Sequence, residues 1–134
     1  MRAFAQLLDT TPRNWYSTVA MTDFTIQIVE HPSQLVIVLT GDINSEAGGP
    51  IRKAYSRVRE GMFDSIVFDF AGVRYINSEG IAVFFSLVRD MGESSLKMVF
   101  AALTPNLQSI VKVVGLIDYV YLSDSVNSWL DANT

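Results

Sequence analysis

Two adjoining stretches in the middle of the chain restrict the fold more than anything else in it. Ser65-Ile66-Val67-Phe68-Asp69-Phe70 is a short β-branched and aromatic run, the pattern of a central strand buried on both faces. A connection over residues 71–77 follows. Ile81, Val83, Phe84, Phe85, Leu87, Val88 and Met91 then crowd a segment too long for a strand, and Gly92 stops it as a glycine stops a helix. A buried strand leading into an apolar helix is half of a βαβ unit. It requires a sheet with helices packed against it.

The flanking sequence repeats the alternation. Phe24, Ile26 and Ile28 alternate with Thr25, Gln27 and Val29, and Leu35-Val36-Ile37-Val38-Leu39 follows a short turn, so a β-hairpin is expected. The polar loop Gly41-Asp42-Ile43-Asn44-Ser45 leads to Ile51, Ala54, Tyr55 and Val58 at helical spacing, which predicts a helix over 46–59. Gly48-Gly49-Pro50 makes its first turn irregular or delays its start to Pro50. A strand over 96–102 comes next, then a helix capped by Thr104 with Pro105 in its first turn and ended by Gly115. Tyr119-Val120-Tyr121-Leu122 makes a last strand, and Ser123 or Asp124 caps a terminal helix carrying Val126, Trp129 and Leu130. The order predicts an α/β fold with a mixed, mostly parallel sheet of about five strands and four helices.

The chain's 134 residues suit one domain over 21–134, preceded by an extension over 1–20 that ends near Thr10-Thr11-Pro12-Arg13-Asn14. The extension is expected to be either flexible or packed on the domain, in which case Trp15-Tyr16-Ser17-Thr18-Val19 would serve as an added strand or arm. Ten Lys+Arg against fourteen Asp+Glu give a net charge of -4, so no broad cationic field exists to recruit nucleic acid or acidic lipid. The helix bearing Arg52, Lys53, Arg57 and Arg59 is read as a solvated basic face. The absence of cysteine removes disulfides, thiolate metal sites and cysteine nucleophiles, and fits a reducing compartment. No apolar run reaches the length of about 18 residues that a membrane span needs. The expected protein is soluble and cytoplasmic, without membrane insertion.

Candidate chemistry is sparse. The single histidine, His31, lies in the turn His31-Pro32-Ser33, and no Gly-x-Ser-x-Gly elbow surrounds Ser78, so a Ser78/His31/Asp69 triad is rejected. Gly48-Gly49-Pro50 lacks the lysine and spacing of a phosphate-binding loop. Asp64 and Asp69, five apart, fall on opposite strand faces and read as solvent-facing or capping residues. No catalytic residue, metal or cofactor is expected. What remains is Tyr75-Ile76-Asn77-Ser78-Glu79-Gly80-Ile81, where the chain passes from a strand's carboxyl end into a helix. Ligands and partners of α/β sheets meet such loops, and the helix start favours negative charge. On local chemistry alone Ser78 is a helix N-cap worth about 1 kcal/mol. In the helix itself, Phe84 and Val88 are expected to face the sheet, leaving Val83 or Leu87 for another helix, solvent or a partner.

Across residues 24–131 the order of elements, the Gly41-Asp42-Ile43-Asn44 loop, the Ile76-Asn77-Ser78-Glu79-Gly80-Ile81 turn and the Val114-Gly115-Leu116 step resemble a STAS domain of the bacterial anti-sigma factor antagonist type. The resemblance implies that Ser78 is a phosphoacceptor and that Asp42, Asn44, Asn77, Ser78, Glu79 and Gly80 meet the partner. It implies as partners a serine kinase that is also the anti-sigma factor, of the histidine-kinase-like ATPase fold, and a metal-dependent serine phosphatase. Asn77 stands where the family usually has Asp, Glu79 where it has Ser or Thr, and Asn44 where an acidic residue is frequent. The negative charge has thus crossed the acceptor serine, which implies a non-standard partner or an adaptor that is never modified. An unmodified STAS scaffold serving a membrane transporter is the alternative.

Overall fold

A strand apolar on both faces needs cover on both, and the middle of the sheet receives it. The computed structural model describes residues 24–133, so the expected extension over 1–20 and the domain start at 21 lie outside the described residues. One five-stranded sheet runs β1 (Thr25–Glu30), β2 (Gln34–Thr40), β3 (Ser65–Gly72), β4 (Lys97–Ala101) and β5 (Tyr121–Ser123) in chain order. β1 is antiparallel to β2, and every later pair is parallel. The helices are α1 (Gly48–Tyr55), α2 (Ser78–Met91), α3 (Pro105–Val114) and α4 (Val126–Ala132). The α/β architecture and mostly parallel sheet expected from the sequence are both present.

On one face Ile66, Phe68 and Phe70 of β3 join Leu35, Ile37, Phe84 and Phe100 in the main core. Phe84 meets Phe68 and Phe100 edge-on, with ring centroids 5.2 and 5.1 Å apart, a geometry worth about 0.5–1.5 kcal/mol per pair beyond area burial. On the other face Val36, Val67, Val99 and Ala101 lie under Val126, Trp129 and Leu130 of the short α4. That helix is pinned by a polar contact: Trp129 Nε1 donates to Gln34 Oε1 at 3.0 Å and Ser65 Oγ at 3.2 Å. The Ser65 hydroxyl also donates to Gln34 Oε1, so two buried polar side chains are satisfied together.

Several boundaries differ from the sequence reading. The helix expected over 46–59 is α1 between two 3-10 turns, Ser45–Ala47 and Ser56–Glu60, with Pro50 in its first turn. Gly48 permits this, since a Cβ there would approach Val83 Cγ2 to 3.1 Å where α1 crosses α2. Val83 and Leu87 are accordingly core, while Val88 is only half-buried. The cap of α4 is Ser125, whose Oγ accepts from Ser128 N–H at 3.0 Å, and not Ser123 or Asp124. Ser123 is taken by β5, pairing with Ala101. Thr104 and Gly115 bound α3 as expected, with Gly115 at φ 90°. Asp69 accepts from Ala71 N–H at 3.0 Å, a local capping role.

Tyr55 links α1 to α2. Burial pushes its phenol up to about 12 from 10.0, helped by its hydrogen bond to Asp90 and the Asp90 charge and opposed by Arg59. Folding therefore favours the protonated phenol, and this contribution is whole below pH 10 and lost as pH rises through about 12. A native-to-unfolded titration should show stability falling by on the order of 2 kcal/mol across that window, and Tyr55→Phe should remove this part of the fall. Ala102, just past β4, holds φ 63°, a left-handed conformation costly for a residue with a Cβ. Ala102→Gly is expected to raise the urea midpoint, corresponding to a gain of up to about 1 kcal/mol.

Candidate functional site

Parallel strands that end together deliver their following loops to one edge of the sheet. After β2 the chain forms the Gly41-Asp42-Ile43-Asn44 loop, and after β3 the Arg74-Tyr75-Ile76-Asn77 connection. The two are joined as a short parallel extension of the sheet. Ile43 and Ile76 form a bridge, Ile43 N–H donates to Tyr75 O at 2.9 Å, and Asn77 N–H donates to Ile43 O at 3.1 Å. Gly41 N–H donates to Gly72 O at 3.0 Å. Ile43, fully buried, anchors the pair from within the core.

The start of α2 is pressed onto this platform. A Cβ at Gly80 would lie 2.7 Å from Ile43 O, 2.8 Å from Ile43 Cγ2 and 2.9 Å from Ile76 Cγ1, so the first turn sits where it does because residue 80 has no side chain. Asn77 is the N-cap: its extended backbone enters the helix and its Oδ1 accepts from Gly80 N–H at 2.9 Å. The reading of Ser78 as the cap is thereby corrected. Asn caps as well as Ser does, and with Asn77 in place Ser78 becomes the first helical residue.

That shift changes what Ser78 offers. Its side chain is exposed and has no hydrogen-bond partner among the described residues, so the hydroxyl is available to another molecule. Glu79 is exposed and is the acidic residue of the first helical turn, where it complements the helix dipole. Asn77 and Glu79 together thus do what one acidic cap would do: the first supplies the hydrogen bond, the second the charge. Asn44 repeats the arrangement across the platform, its Oδ1 accepting from Glu46 N–H at 2.9 Å and opening the Ser45–Ala47 turn.

Of the six residues expected to meet a partner, Asp42, Ser78 and Glu79 are exposed, Asn44 and Asn77 are half-buried caps, and Gly80 is buried as a spacer. The hydrogen bonds place all six on the two joined loops or the helix start they carry. Tyr75 opens the segment singled out in the sequence but is not among the six; it is 54% exposed directly before the turn. Its signal was weak, since a tyrosine beside a β-branched strand ordinarily reads as part of the core. His31 belongs to the β1–β2 turn, at the opposite end of the sheet from Ser78. Arg57 pairs with Glu30 and Arg59 with Asp90, so half of the basic cluster around α1 is neutralised on the surface.

The family model for the STAS domain matches residues 25–129. A comparison with curated protein sequences finds no significant match. Among solved structures, an anti-sigma factor antagonist from Mycobacterium paratuberculosis superposes with a TM-score of 0.69 at 18% identity, over 86% of this chain and 97% of its own. The Bacillus cell fate determinant SpoIIAA in its phosphorylated form gives 0.65 at 17% identity, over 82% and 100%. A sulfate transporter family protein from Wolinella succinogenes gives 0.64 at 10% identity, over 76% and 84%. At these identities the likeness is one of fold. The family match runs from β1 into α4 and takes in both loops of the platform, and the chain belongs to the STAS domain family.

Proposed function

We propose that this STAS domain is an anti-sigma factor antagonist or a closely related partner-switching adaptor, and that Ser78 is its phosphoacceptor. The observation that carries the reading is the exposed, unpartnered Ser78 hydroxyl at the first position of α2, on a platform that a charge would not disrupt. The fold shared with SpoIIAA in its phosphorylated form and with the mycobacterial antagonist supports it.

Phosphorylation replaces a neutral hydroxyl by a group of roughly -1.5 to -2 charge with three acceptor oxygens. At a helix start such a group is tolerated, because the dipole and the unpaired N–H groups of the first turn favour it. A partner packed over Tyr75, Ser78 and Glu79 meets a very different surface: new charge beside Glu79 that must be desolvated on contact. The fold survives and the complex does not. The partner would be a serine kinase that is also the anti-sigma factor, of the histidine-kinase-like ATPase type, and a metal-dependent serine phosphatase would restore the free hydroxyl. This protein supplies a substrate side chain and a binding face, with no catalytic residue of its own.

A second reading, a constitutive scaffold on a membrane transporter, is favoured by the shared fold of the Wolinella sulfate transporter family protein. There the same face would hold its partner without modification.

Two experiments separate the readings. Incubation with ATP and an extract of the source organism should add one phosphate by mass spectrometry to the wild type and none to Ser78→Ala; phosphate that persists in the variant removes Ser78 from the role. In pull-downs, Ser78→Asp should recover the partner kinase at least about tenfold less well than Ser78→Ala, the equivalent of 1.4 kcal/mol. Equal recovery by wild type and both variants would assign the scaffold. Gly80→Ala tests the platform, since its Cβ must displace the Ile43 carbonyl. It is expected to cost about 1–3 kcal/mol in chemical denaturation and to weaken partner capture, whereas unchanged stability and capture would show that the close contact is not needed.

A further inference from the structure

The chain carries the same four residues twice, Ile43-Asn44-Ser45-Glu46 and Ile76-Asn77-Ser78-Glu79, and the fold sets the two copies side by side. Ile43 and Ile76 pair in parallel, so both copies leave the sheet from one register position, on neighbouring segments about 4.8 Å apart. They are also built alike. Each asparagine is half-buried, has an extended backbone and caps the turn that follows, Asn44 through Glu46 N–H and Asn77 through Gly80 N–H, both at 2.9 Å. Each serine and each glutamate is exposed, and a small buried residue, Ala47 or Gly80, comes next.

Capping accounts for the asparagines and leaves the Ser45 hydroxyl and the Glu46 carboxylate free. Neither has a hydrogen-bond or ion-pair partner among the described residues, as is true of Ser78 and Glu79. By contrast Glu30 and Asp90 are taken by Arg57 and Arg59. Over residues 41–46 and 74–79 the charges are Asp42, Glu46 and Glu79 against Arg74, all exposed and unpaired. A partner that covers Ser78 cannot avoid the second copy. A contact of standard size buries about 800 Å² on each side, a patch on the order of 30 Å across, and one strand spacing separates the copies. Glu46 is therefore taken out of water together with Glu79, and a desolvated carboxylate is strongly destabilising unless a cation meets it. The Ser78 hydroxyl has a different neighbour. In a kinase that modifies it, the γ-phosphate of ATP must approach it, so a phosphate already on Ser78 meets like charge even where the flanking carboxylates meet cations.

Resting on the reading of Ser78 as phosphoacceptor, we propose that Asn44-Ser45-Glu46 is a second recognition element for the same kinase, which presents two cationic side chains, one to Glu46 and one to Glu79. The copy at 77–79 reacts while the copy at 44–46 holds. Glu46 is thus a specificity-determining residue, and Ser45 lies within the contact without being modified.

The test uses the full chain, ATP and an extract of the source organism, and reads the initial rate of phosphate addition at Ser78 by mass spectrometry. Glu46→Lys should lower that rate at least about tenfold, through a higher apparent KM with the maximal rate kept. Glu93→Lys makes the same change of charge on an exposed residue just past the far end of α2, and should stay within about twofold of the wild type. Glu46→Gln should fall between them, and high salt should narrow the gap. The Glu46 side chain has no partner, so the urea midpoint of Glu46→Lys should match that of the wild type, and Glu46→Gln keeps the comparison readable if it does not. Equal rates for Glu46→Lys and Glu93→Lys overturn the second recognition element and leave the Ser78 reading standing. No phosphate on the wild type overturns both. Phosphate on Ser45 would make residues 44–46 a second acceptor and overturn their holding role.

Discussion

The close approach of Gly80 to Ile43 is the contact on which the functional end of the molecule depends. A helix can begin against the backbone of a neighbouring loop only if the residue at the contact has no side chain, and residue 80 is the one that meets the Ile43 carbonyl. Once α2 is seated there, Asn77 can both cap the helix and donate its N–H to Ile43, and the Ile43–Ile76 bridge carries the order of the sheet past the formal ends of β2 and β3. Two loops that would otherwise move separately become one surface. Ser78 inherits a fixed position without spending its own hydroxyl on fixing it.

That economy explains the residues at which this chain departs from the usual family turn. A capping aspartate supplies a hydrogen bond and a charge from one side chain. Here Asn77 accepts the hydrogen bond, and Glu79 provides negative charge within the first turn. The helix start is as well satisfied, but the charge now follows Ser78 in the chain instead of preceding it, on the exposed face proposed to meet a partner. Across the platform, Asn44 caps its turn and Glu46 carries the charge. Both loops of the surface therefore separate capping from charge in the same way, which argues for a partner matched to this arrangement.

The fold was legible in the sequence because its central strands and helices carry redundant signals. The run from Ile66 to Phe70, the Thr104 cap with Pro105, and the stops at Gly92 and Gly115 agree with tertiary packing. Boundaries slipped where two local choices were nearly equal. Ser123, Asp124 and Ser125 can all cap a helix, and pairing of Ser123 with Ala101 decided among them. Asn77 and Ser78 compete for the same cap, and the hydrogen bond from Asn77 N–H to Ile43 O decided that case. The candidate site was legible as a segment but not as a mechanism of support. The part played by Ile43, Ile76 and Gly80 comes from contacts between residues more than thirty positions apart in the chain, and local pattern carries no trace of such a contact.

The central claim is that Ser78 stands on a rigid platform and can accept charge without disturbing it. Amide chemical shifts of the full chain, compared between the free protein and protein carrying phosphoserine at residue 78, test this most directly. The account predicts changes confined to residues 77–81 and the adjoining 41–44 loop, with α3, α4 and the sheet core unmoved. Changes spread through the Phe68, Phe84 and Phe100 core, or loss of the Asn77-to-Gly80 cap, would contradict it.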